Sequence, residues 1–394
     1  MLVMLAPGQG SQKPGFLTPW LDLPGAAARL RWQSALAGLD LVRLGTEADA
    51  DEVRDTAKTQ PLLVAAGLLA ASQLPMHDVP AVAGHSVGEL AAAAMAGVIN
   101  PETAIAFAAA RGREMAAACA VEATGMSAVL GGEAEDVAAR ISEHGLHVAN
   151  HNGAGQIVAA GPLNNLEKLT ANPPASSRVT PLKVAGAFHT PHMKPAQEAL
   201  EAIAGGIAPA EPTRILLSNA DGAAVGSGPD MLTRLVRQVT APVRWDLCMA
   251  SMVELGVTGV IELPPAGTLA GLAKRGLRTS AGAPEIVAVK TPDDLDAARD
   301  LIARLGAPAR PAPAARFQVT VANAAGAFQP GLIAEGASVK AGQVIGQVVN
   351  RRGGEEVLAS SDGVLVEWLA QPENPVAAGT PLARFSHPET GVRR

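Results

Sequence analysis

The sequence predicts an α/β fold with a mainly parallel sheet, a small α+β insertion and a separate all-β module at its C-terminal end. Three observations indicate this arrangement. Apolar segments of strand length alternate with helical segments before residue 306. The 394 residues exceed the usual size of a single hydrophobic core. An Ala/Pro-rich segment at 306–316 is typical of an extended linker, and short Val-rich alternating segments follow it.

The composition excludes several classes of protein. Hydrophobic residues make up 48% of the chain and charged residues 17%, which argues against global disorder. A net charge of −6 and the absence of tyrosine argue against a nucleic-acid partner. Two cysteines exclude a disulfide scaffold and favour a reducing compartment. The apolar N-terminus lacks a basic segment, and the apolar runs are too short to cross a membrane, so we expect a cytoplasmic protein without a membrane partner.

The first part of the chain begins with two buried strands and three helices. Strands are predicted at 2–6 and 79–83, and helices at 60–74 and 87–97. A further helix begins after Asn100, because Asn at the N-cap and Pro101 at the first helical position form a strong start signal. We expect it to end near Ala118. Strands that alternate with helices predict a parallel sheet with helices on both faces.

The chain changes in character between about residues 119 and 186. Strands are predicted there at 126–130, 146–149 and 156–160, and helices at 133–143 and 164–170. This mixture predicts a small α+β insertion.

The C-terminal part contains an internal repeat. Gly326, Leu332, Val339, Ala341, Gly342 and Ile345 recur 37 residues later as Gly363, Leu369, Val376, Ala378, Gly379 and Leu382. Neither half is long enough to bury a core alone, so the repeat predicts an intertwined or two-fold β module.

The segment Gly84-His-Ser-Val-Gly88 lies between a predicted strand and a predicted helix and fits the pattern Gly-x-Ser-x-Gly. Glycines at both ends permit a tight turn that presents Ser86 at the helix N-terminus. Free N–H groups there, beginning with Val87, can stabilise an oxyanion. The pattern therefore predicts a nucleophile elbow; the alternative is a serine in a glycine-rich turn or a helix cap.

A nucleophilic serine needs a base. His189 is the strongest of the eight histidines, and His192 is its rival; each has a capping or surface role as its alternative. No acidic residue stands in an evident third position. A dyad with an imidazole oriented by a carbonyl is therefore as plausible as a triad.

Two further segments have candidate roles. Pro7-Gly-Gln-Gly-Ser-Gln12 follows the first strand but lacks the spacing of a phosphate-binding loop, so it is either a structural turn or a close backbone approach to a reacting centre. Arg111 stands among alanines in a predicted helix. A guanidinium that points into a cleft from there would bind a carboxylate.

Together these segments resemble the malonyl-CoA:acyl carrier protein transacylases, the acyltransferase family of fatty-acid synthesis. The resemblance covers about residues 1–290, in the family's order. It rests on Gly8-Gln-Gly-Ser-Gln12, Thr59-Gln-Pro61, Gly84-His-Ser-Val-Gly-Glu89, Arg111-Gly-Arg-Glu-Met115, Asn150-His-Asn152, Phe188-His189, Ser218-Asn219, Gln238, Pro242-Val-Arg-Trp245 and Leu269 to Arg275. The family commonly has a Gly-Pro-Gly turn where this chain has Leu263-Pro-Pro-Ala-Gly267, a variant that resembles actinobacterial members.

The resemblance implies a hydrolase-like core with a ferredoxin-like insertion in an acyltransferase domain over 1–305. The composition adds a linker at 306–316 and a further domain at 317–394. It implies the following site roles: Ser86 as nucleophile, His189 as base and then acid, Gln238 as support for His189, Gln9 and Val87 as the oxyanion hole, Arg111 as the ligand of the malonyl carboxylate, and Gln60, Asn152 and Phe188 as further pocket residues. A bulky Phe188 would leave little room for an α-methyl branch.

The implied activity is ping-pong transfer of a malonyl group from malonyl-CoA to the phosphopantetheine thiol of acyl carrier protein, through malonyl-Ser86. Malonyl-CoA is a substrate, and no bound cofactor or metal is expected. The alternatives are a serine esterase or thioesterase, an acyltransferase that serves polyketide synthesis, and a non-enzymatic scaffold. Arg111 and Gln238 favour transfer over plain hydrolysis.

Residues 317–385 are similar to biotinyl/lipoyl-type domains, which are barrel-sandwiches. Carrier members have their modified lysine in the hairpin between the halves. Here that hairpin reads Val349-Asn-Arg-Arg-Gly-Gly-Glu-Glu356, and Lys340 is the only lysine after the linker. We therefore expect no biotin or lipoyl attachment. The module either docks another component of the pathway or only adds stability.

Overall fold

The computed structural model describes residues 1–278, 282–310, 317–350, 353–359 and 362–386. Most of the predicted linker (311–316), two residues of the predicted hairpin between the module's halves (351–352) and the last eight residues lie outside the described ranges.

The strands and helices follow one another in the alternation expected of an α/β protein. The strands are β1 (Leu2–Ala6), β2 (Ala81–Gly84), β3 (Thr124–Gly131), β4 (His147–Gly153), β5 (Gln156–Pro162), β6 (Ser177–Pro181), β7 (Ile215–Leu217), β8 (Val243–Arg244), β9 (Gly259–Glu262), β10 (Glu285–Ala288), β11 (Phe317–Val321), β12 (Gly326–Pro330), β13 (Ser338–Val339), β14 (Val344–Asn350), β15 (Gly353–Leu358), β16 (Gly363–Trp368), β17 (Pro375–Val376) and β18 (Pro381–Ser386). The helices are α1 (Ala26–Ala37), α2 (Leu41–Thr46), α3 (Ala50–Arg54), α4 (Thr56–Ala71), α5 (Gly88–Met95), α6 (Pro101–Cys119), α7 (Ala134–Glu143), α8 (Leu163–Ala171), α9 (Lys194–Ala204), α10 (Gly228–Arg237), α11 (Trp245–Glu254), α12 (Thr268–Gly276) and α13 (Leu295–Leu305).

The core sheet has the strand order β10-β9-β1-β2-β7, and every neighbouring pair is parallel. Its central strands β1 and β2 are buried along their whole length, as continuous apolar strands covered on both faces should be. The predicted parallel α/β core is thus confirmed. Because β1, β2 and β7 are adjacent, the loops at their carboxyl ends meet at one edge of the sheet, which is where ligands bind in such folds.

The predicted helix start at Asn100 is present. The Asn100 side chain accepts the N–H of Thr103 at 2.7 Å and caps α6. Helix α6 packs along α4, and a side chain at Gly112 would press on the main chain of α4. This glycine permits the close approach that brings Arg111 on α6 beside Gln60 on α4.

The segment between α6 and α9 contains the order β3-α7-β4-β5-α8-β6. Its strands form a second sheet in the order β6-β3-β5-β4, and β8 extends that sheet by pairing with β4. Neighbours within the segment are antiparallel, which is the strand order and pairing of a ferredoxin-like unit. The sequence pattern missed β6, because its residues are half-buried or exposed and lack an apolar alternation.

The C-terminal part consists of two four-stranded sheets, which confirms its all-β character. Their orders are β11-β18-β16-β13 and β15-β14-β12-β17. A shift of 37 residues places β11, β12, β13 and β14 on β15, β16, β17 and β18, and this exchange converts one sheet into the other. Each sheet therefore combines strands from both repeats. The buried core is built from side chains of both repeats, for example Phe328 from the first and Leu365 from the second.

Among the described residues, none of the helices has both the length and the apolar character needed to cross a lipid bilayer.

Candidate active site

A sharp turn joins β2 to α5 and carries Ser86. Ser86 has a φ angle of 52°, in the left-handed region that residues with a side chain rarely occupy. A Cβ atom at Gly84 would overlap the main chain of Gly88, and one at Gly88 would overlap the carbonyl of Ala6. The two glycines of the pattern are thus required by close packing, and the turn has the geometry of a nucleophile elbow.

The side-chain amide of Asn219 holds this turn from both sides. Its Oδ1 accepts the main-chain N–H of Ser86 at 2.8 Å, and its Nδ2 donates to the carbonyl of Gly84 at 2.7 Å. The N–H of Ser86 is therefore already bonded. Within the described part of the chain, the main-chain N–H groups of Val87 and Gln9 have no protein acceptor, so these two remain available to an oxyanion.

His189 lies directly beside the serine. Its Nε2 is 2.8 Å from the Oγ of Ser86, and its Nδ1 is 2.8 Å from the main-chain oxygen of Gln238. A carbonyl only accepts, so Nδ1 carries the proton and Nε2 presents its lone pair to the hydroxyl. Burial, together with the charge of Arg111, lowers the pKa of His189 to about 3, so the imidazole is neutral and ready to accept a proton.

The structure distinguishes between the two candidate bases. His192 lies away from Ser86, with its Nδ1 3.0 Å from a carboxylate oxygen of Glu122 and its ring next to His147. The imidazole that meets the serine is that of His189, and a carbonyl rather than an acid orients it. The arrangement is a dyad in which Gln238 contributes its main chain to His189, while its side chain points elsewhere.

The guanidinium of Arg111 is buried next to this dyad. It donates to the Oε1 of Gln60 at 2.6 Å and to the Oε1 of Gln238 at 2.8 Å, and one of its nitrogens is 3.4 Å from the Oγ of Ser86. Burial lowers the pKa of Arg111 to about 10, a fall that the charge of Glu89 opposes, so the group remains cationic at neutral pH. A buried cation within reach of the nucleophile is suited to a substrate that carries a carboxylate.

These groups line one cavity of about 200 Å³. The predicted site residues that line it are Gln9, Gln60, Ser86, Val87, Arg111, Asn152, Phe188 and His189. The Oδ1 of Asn152 accepts the Nε2–H of His85 at 2.9 Å and so holds the residue before the nucleophile. Gln238 lies behind the lining, where it contacts Arg111 and His189. All predicted site residues are therefore brought to one place.

Sequence reasoning assigned no role to Glu89 or to Asn219. Glu89 is buried one helical turn after Ser86, and burial raises its pKa to about 8, against the opposing effect of its bond from the Asn219 N–H. Both residues stand in motifs that the resemblance quoted, which is the signal that could have drawn attention to them. Their partners lie far away in the sequence, so the motifs alone did not reveal their contacts.

No cluster of three or more His, Cys, Asp or Glu side chains in the described ranges is arranged to hold a metal ion.

Comparison with known proteins identifies the family to which the chain is similar. Residues 3–306 match the model of the acyl transferase domain. The malonyl CoA-acyl carrier protein transacylase of Mycobacterium tuberculosis is 56% identical over 301 residues, which cover 75% of this chain and 98% of that protein. The Escherichia coli protein of the same name is 33% identical over 279 residues, 68% of this chain and 90% of that protein.

Solved structures show the same similarity. The crystal structure of the Mycobacterium tuberculosis enzyme superposes with a TM-score of 0.73 at 55% identity and covers 76% of this chain and 99% of that chain. A malonyl-transacylase in complex with its type II PKS acyl-carrier protein superposes with a TM-score of 0.70 at 29% identity, over 76% of this chain and 99% of that chain. The region matched by the family model, residues 3–306, contains the serine, the histidine and the arginine described above. The chain belongs to the acyl transferase family.

Proposed function

We propose that residues 1–306 transfer a malonyl group from malonyl-CoA to the phosphopantetheine thiol of acyl carrier protein. The observation that carries this proposal is the position of the Oγ of Ser86, which lies 2.8 Å from the base of His189 and 3.4 Å from the guanidinium of Arg111. In a malonyl group, one methylene separates the free carboxylate from the reacting carbonyl. A carboxylate held on Arg111 therefore brings that carbonyl to the serine.

The first half-reaction forms an acyl-enzyme. The Nε2 of His189 takes the proton of the Ser86 hydroxyl while Oγ attacks the thioester carbon of malonyl-CoA. The oxyanion accepts hydrogen bonds from the main-chain N–H groups of Val87 and Gln9. Removal of one such donor typically lowers the rate ~10²–10³-fold. The C–S bond then breaks, and His189 returns its proton to the departing CoA thiolate. The products are malonyl-Ser86 and CoA.

The second half-reaction reverses these steps with a new thiol. His189, neutral again, accepts the proton of the phosphopantetheine thiol as its sulfur attacks the ester carbon of malonyl-Ser86. Collapse of the second oxyanion breaks the C–Oγ bond, and His189 protonates Ser86. The carrier protein leaves as its malonyl thioester. The enzyme needs no bound cofactor for either step, because thioester exchange involves no redox change.

Hydrolysis is the competing reaction of this site. A plain esterase needs neither a buried cation beside the nucleophile nor a second base-activated thiol. The relatives named malonyl CoA-acyl carrier protein transacylase match over nearly their whole length, which favours transfer.

Fatty-acid synthesis is the proposed pathway. A polyketide pathway is the second candidate, since one similar structure holds a type II PKS acyl-carrier protein.

Intact-protein mass spectrometry after exposure to malonyl-, methylmalonyl- and acetyl-CoA tests the proposal. We expect one malonyl adduct that holo acyl carrier protein removes, and no adduct in the Ser86→Ala variant. A Ser86→Ala protein that still forms the adduct would reject the nucleophile. Free malonate as the main product in the presence of carrier protein would favour hydrolysis.

For the C-terminal module we propose a biotinyl/lipoyl-like fold that carries no modification. The exchange of strands between its sheets supports the fold. Lys340 lies between β13 and β14 and pairs with Asp362 at 3.1 Å, away from the β14–β15 hairpin where a carrier lysine would be expected. The guanidinium of Arg244 donates to the carbonyl of Gly379, so one turn of the module contacts the acyltransferase part. A biotin or lipoyl mass on this segment would overturn the proposal.

A further inference from the structure

A buried acid lies behind the candidate carboxylate pocket. The side chain of Glu89 is 1% exposed, and both of its oxygens accept N–H groups. Its Oε1 accepts the main-chain N–H of Asn219 at 2.5 Å, and its Oε2 accepts the Nε2 of Gln238 at 2.5 Å. Neither bond involves the serine, the histidine or the cavity lining, so the mechanism above does not use this residue.

The bond from Gln238 sets the orientation of that side chain. A primary amide has one end that donates and one end that accepts. Glu89 presents acceptors, and Arg111 presents only donors. The Gln238 amide satisfies both only when its nitrogen faces Glu89 and its oxygen faces Arg111, as observed at 2.5 Å and 2.8 Å. This orientation follows from the chemistry of the two neighbours.

The same arrangement separates Arg111 from its counter-charge. Both of its close partners, Gln60 and Gln238, are neutral amide oxygens. Within the described part of the chain, no carboxylate forms an ion pair with Arg111. The acid whose ionised form acts on it is Glu89, one amide away, and burial raises the pKa of Glu89 to about 8. A direct ion pair would occupy the guanidinium fork. An acid placed behind an amide leaves N–H groups of the fork for a substrate carboxylate, and when it is ionised its charge offsets part of the cost of burying the cation.

We propose that Glu89 is a positioning residue that sets the preference for a carboxylated acyl group by orienting Arg111 through Gln238. This inference rests on the proposed function, in which Arg111 binds the substrate carboxylate. Glu89 touches neither the substrate nor the reacting atoms.

The isosteric Glu89→Gln substitution isolates this effect. The Oε1 of the new amide can still accept the N–H of Asn219, so this bond is kept. Its nitrogen, however, would face the nitrogen of Gln238. Relief of that conflict turns the Gln238 amide over and presents an N–H₂ group to Arg111, which can no longer donate to it. Turning the Gln238 amide over would also withdraw its Nε2 from the main-chain oxygen of Ser86, 3.2 Å away, a loss that malonyl and acetyl transfer share.

The rate of Ser86 acylation is measured with malonyl-CoA and with acetyl-CoA, which has no carboxylate. In the Glu89→Gln variant the ratio of malonyl to acetyl rates should fall roughly 10-fold or more, as expected for losing a charge-assisted hydrogen bond. Glu114→Gln makes the same chemical change at an acid that pairs with Arg113 on the outer side of α6, and it should leave the ratio unchanged. An equal loss of acylation rate with malonyl-CoA and with acetyl-CoA would show a merely structural role and overturn the inference.

The Gln238→Leu background provides the second measurement. In this variant the amide that links Glu89 to Arg111 is absent, while the main-chain oxygen of residue 238 can still accept the Nδ1–H of His189. Gln238→Leu alone should lower the malonyl preference, and adding Glu89→Gln should not lower it further. A further fall would overturn the inference. If Glu89→Gln does not fold, an unchanged malonyl preference in the Gln238→Leu protein also overturns it. Failure of the unchanged protein to form a malonyl adduct would instead reject the proposed function.

Discussion

The Nε2 of His189 lies 2.8 Å from the Oγ of Ser86, although 103 positions separate the two residues in the sequence. Both occupy the left-handed region of backbone space, with φ angles of 60° and 52°. Such angles cost free energy in residues other than glycine, and they persist where surrounding bonds hold them. The N–H of His189 donates to the carbonyl of Val239, and Asn219 holds Ser86. Two strained residues are thus held in mutual contact.

The pKa of His189 predicts an unusual pH profile. Its value of about 3 lies below the ordinary 6.5, because burial and the charge of Arg111 disfavour the imidazolium. The imidazole is then neutral at every pH well above 3, so acylation by malonyl-CoA should not lose rate through a histidine titration near pH 6.5. Single-turnover acylation measured from pH 5 to pH 8 tests this. A rate that falls to half near pH 6.5 would contradict it.

The same shift links folding to pH. A histidine whose folded pKa is depressed contributes stability that is complete above its unfolded pKa of 6.5 and is lost as the pH falls from 6.5 towards 3.

Removal of the Arg111 charge should raise the pKa of His189. In Arg111→Gln, with acetyl-CoA as donor, the acid limb of the profile should move to higher pH, and an unmoved limb would exclude Arg111 as a cause.

Loss of Arg111 should separate the two acyl donors. In Arg111→Ala the malonyl carboxylate would enter a buried pocket without a cation, a loss of ~3–5 kcal/mol for a broken buried pair, or roughly 10²–10⁴-fold in acylation rate. Acetyl-CoA makes no such contact and should be affected much less. Arg113→Ala, an exposed arginine of the same helix, is the matched control. Equal losses for both donors would reject the carboxylate role.

Glycine at position 88 should be essential for the elbow. The Cβ that Gly88→Ala introduces would overlap the carbonyl of Ala6. The substitution must therefore displace Ser86 from His189. A displacement of about 1 Å can cost ~10²-fold in rate. Gly67 in α4 is the control, because an added Cβ would meet Ala91 at an ordinary 3.8 Å, and alanine is the better helix former. Acylation should survive Gly67→Ala and fail in Gly88→Ala; normal rates in both would disprove the packing argument.

Phe188 should exclude a methyl branch on the acyl group. It is buried and lines the cavity next to His189. Phe188→Leu creates space near the α-carbon, and the methylmalonyl-to-malonyl ratio of acylation should rise by ~10-fold or more, the value of about one methyl group in a tight pocket. Phe107→Leu makes the same change in the core of α6, outside the cavity lining, and should leave the ratio as it is. An unaltered ratio in Phe188→Leu would remove Phe188 from substrate selection.

Residues 1–306 should fold and react without the C-terminal module. The module has a core of its own, and the site lies entirely in the acyltransferase part. The family model matches residues 3–306, and the solved relative from Mycobacterium tuberculosis matches 76% of this chain with 99% of its own. A protein that ends at Gly306 should therefore keep the acylation rate and a cooperative thermal transition. A large loss of rate after this truncation would mean that the contact between Arg244 and Gly379 supports the site.

Local patterns determined those parts of the protein whose partners are near in the sequence. The elbow at Ser86 was predictable because glycines 84 and 88 make steric demands within one turn. The start of α6 was predictable because Asn100 caps its own helix. The parallel sheet followed from the alternation of strands and helices, and the all-β module from its 37-residue repeat. The surroundings of Arg111 suggested a carboxylate ligand and the glycines around Gln9 a close backbone approach, but the specific roles of both residues came from the family resemblance.

The tertiary structure alone decided the contacts between distant segments. It placed the imidazole of His189, and not that of His192, beside the Oγ of Ser86, because only folding shows which imidazole meets the serine. It also showed that Gln238 supports His189 with its main chain and Arg111 with its side chain. The bonds that join Glu89 to Gln238 and to Asn219 span 149 and 130 positions. A hydrogen bond depends on distance and direction in space, and a sequence pattern specifies neither for residues so far apart.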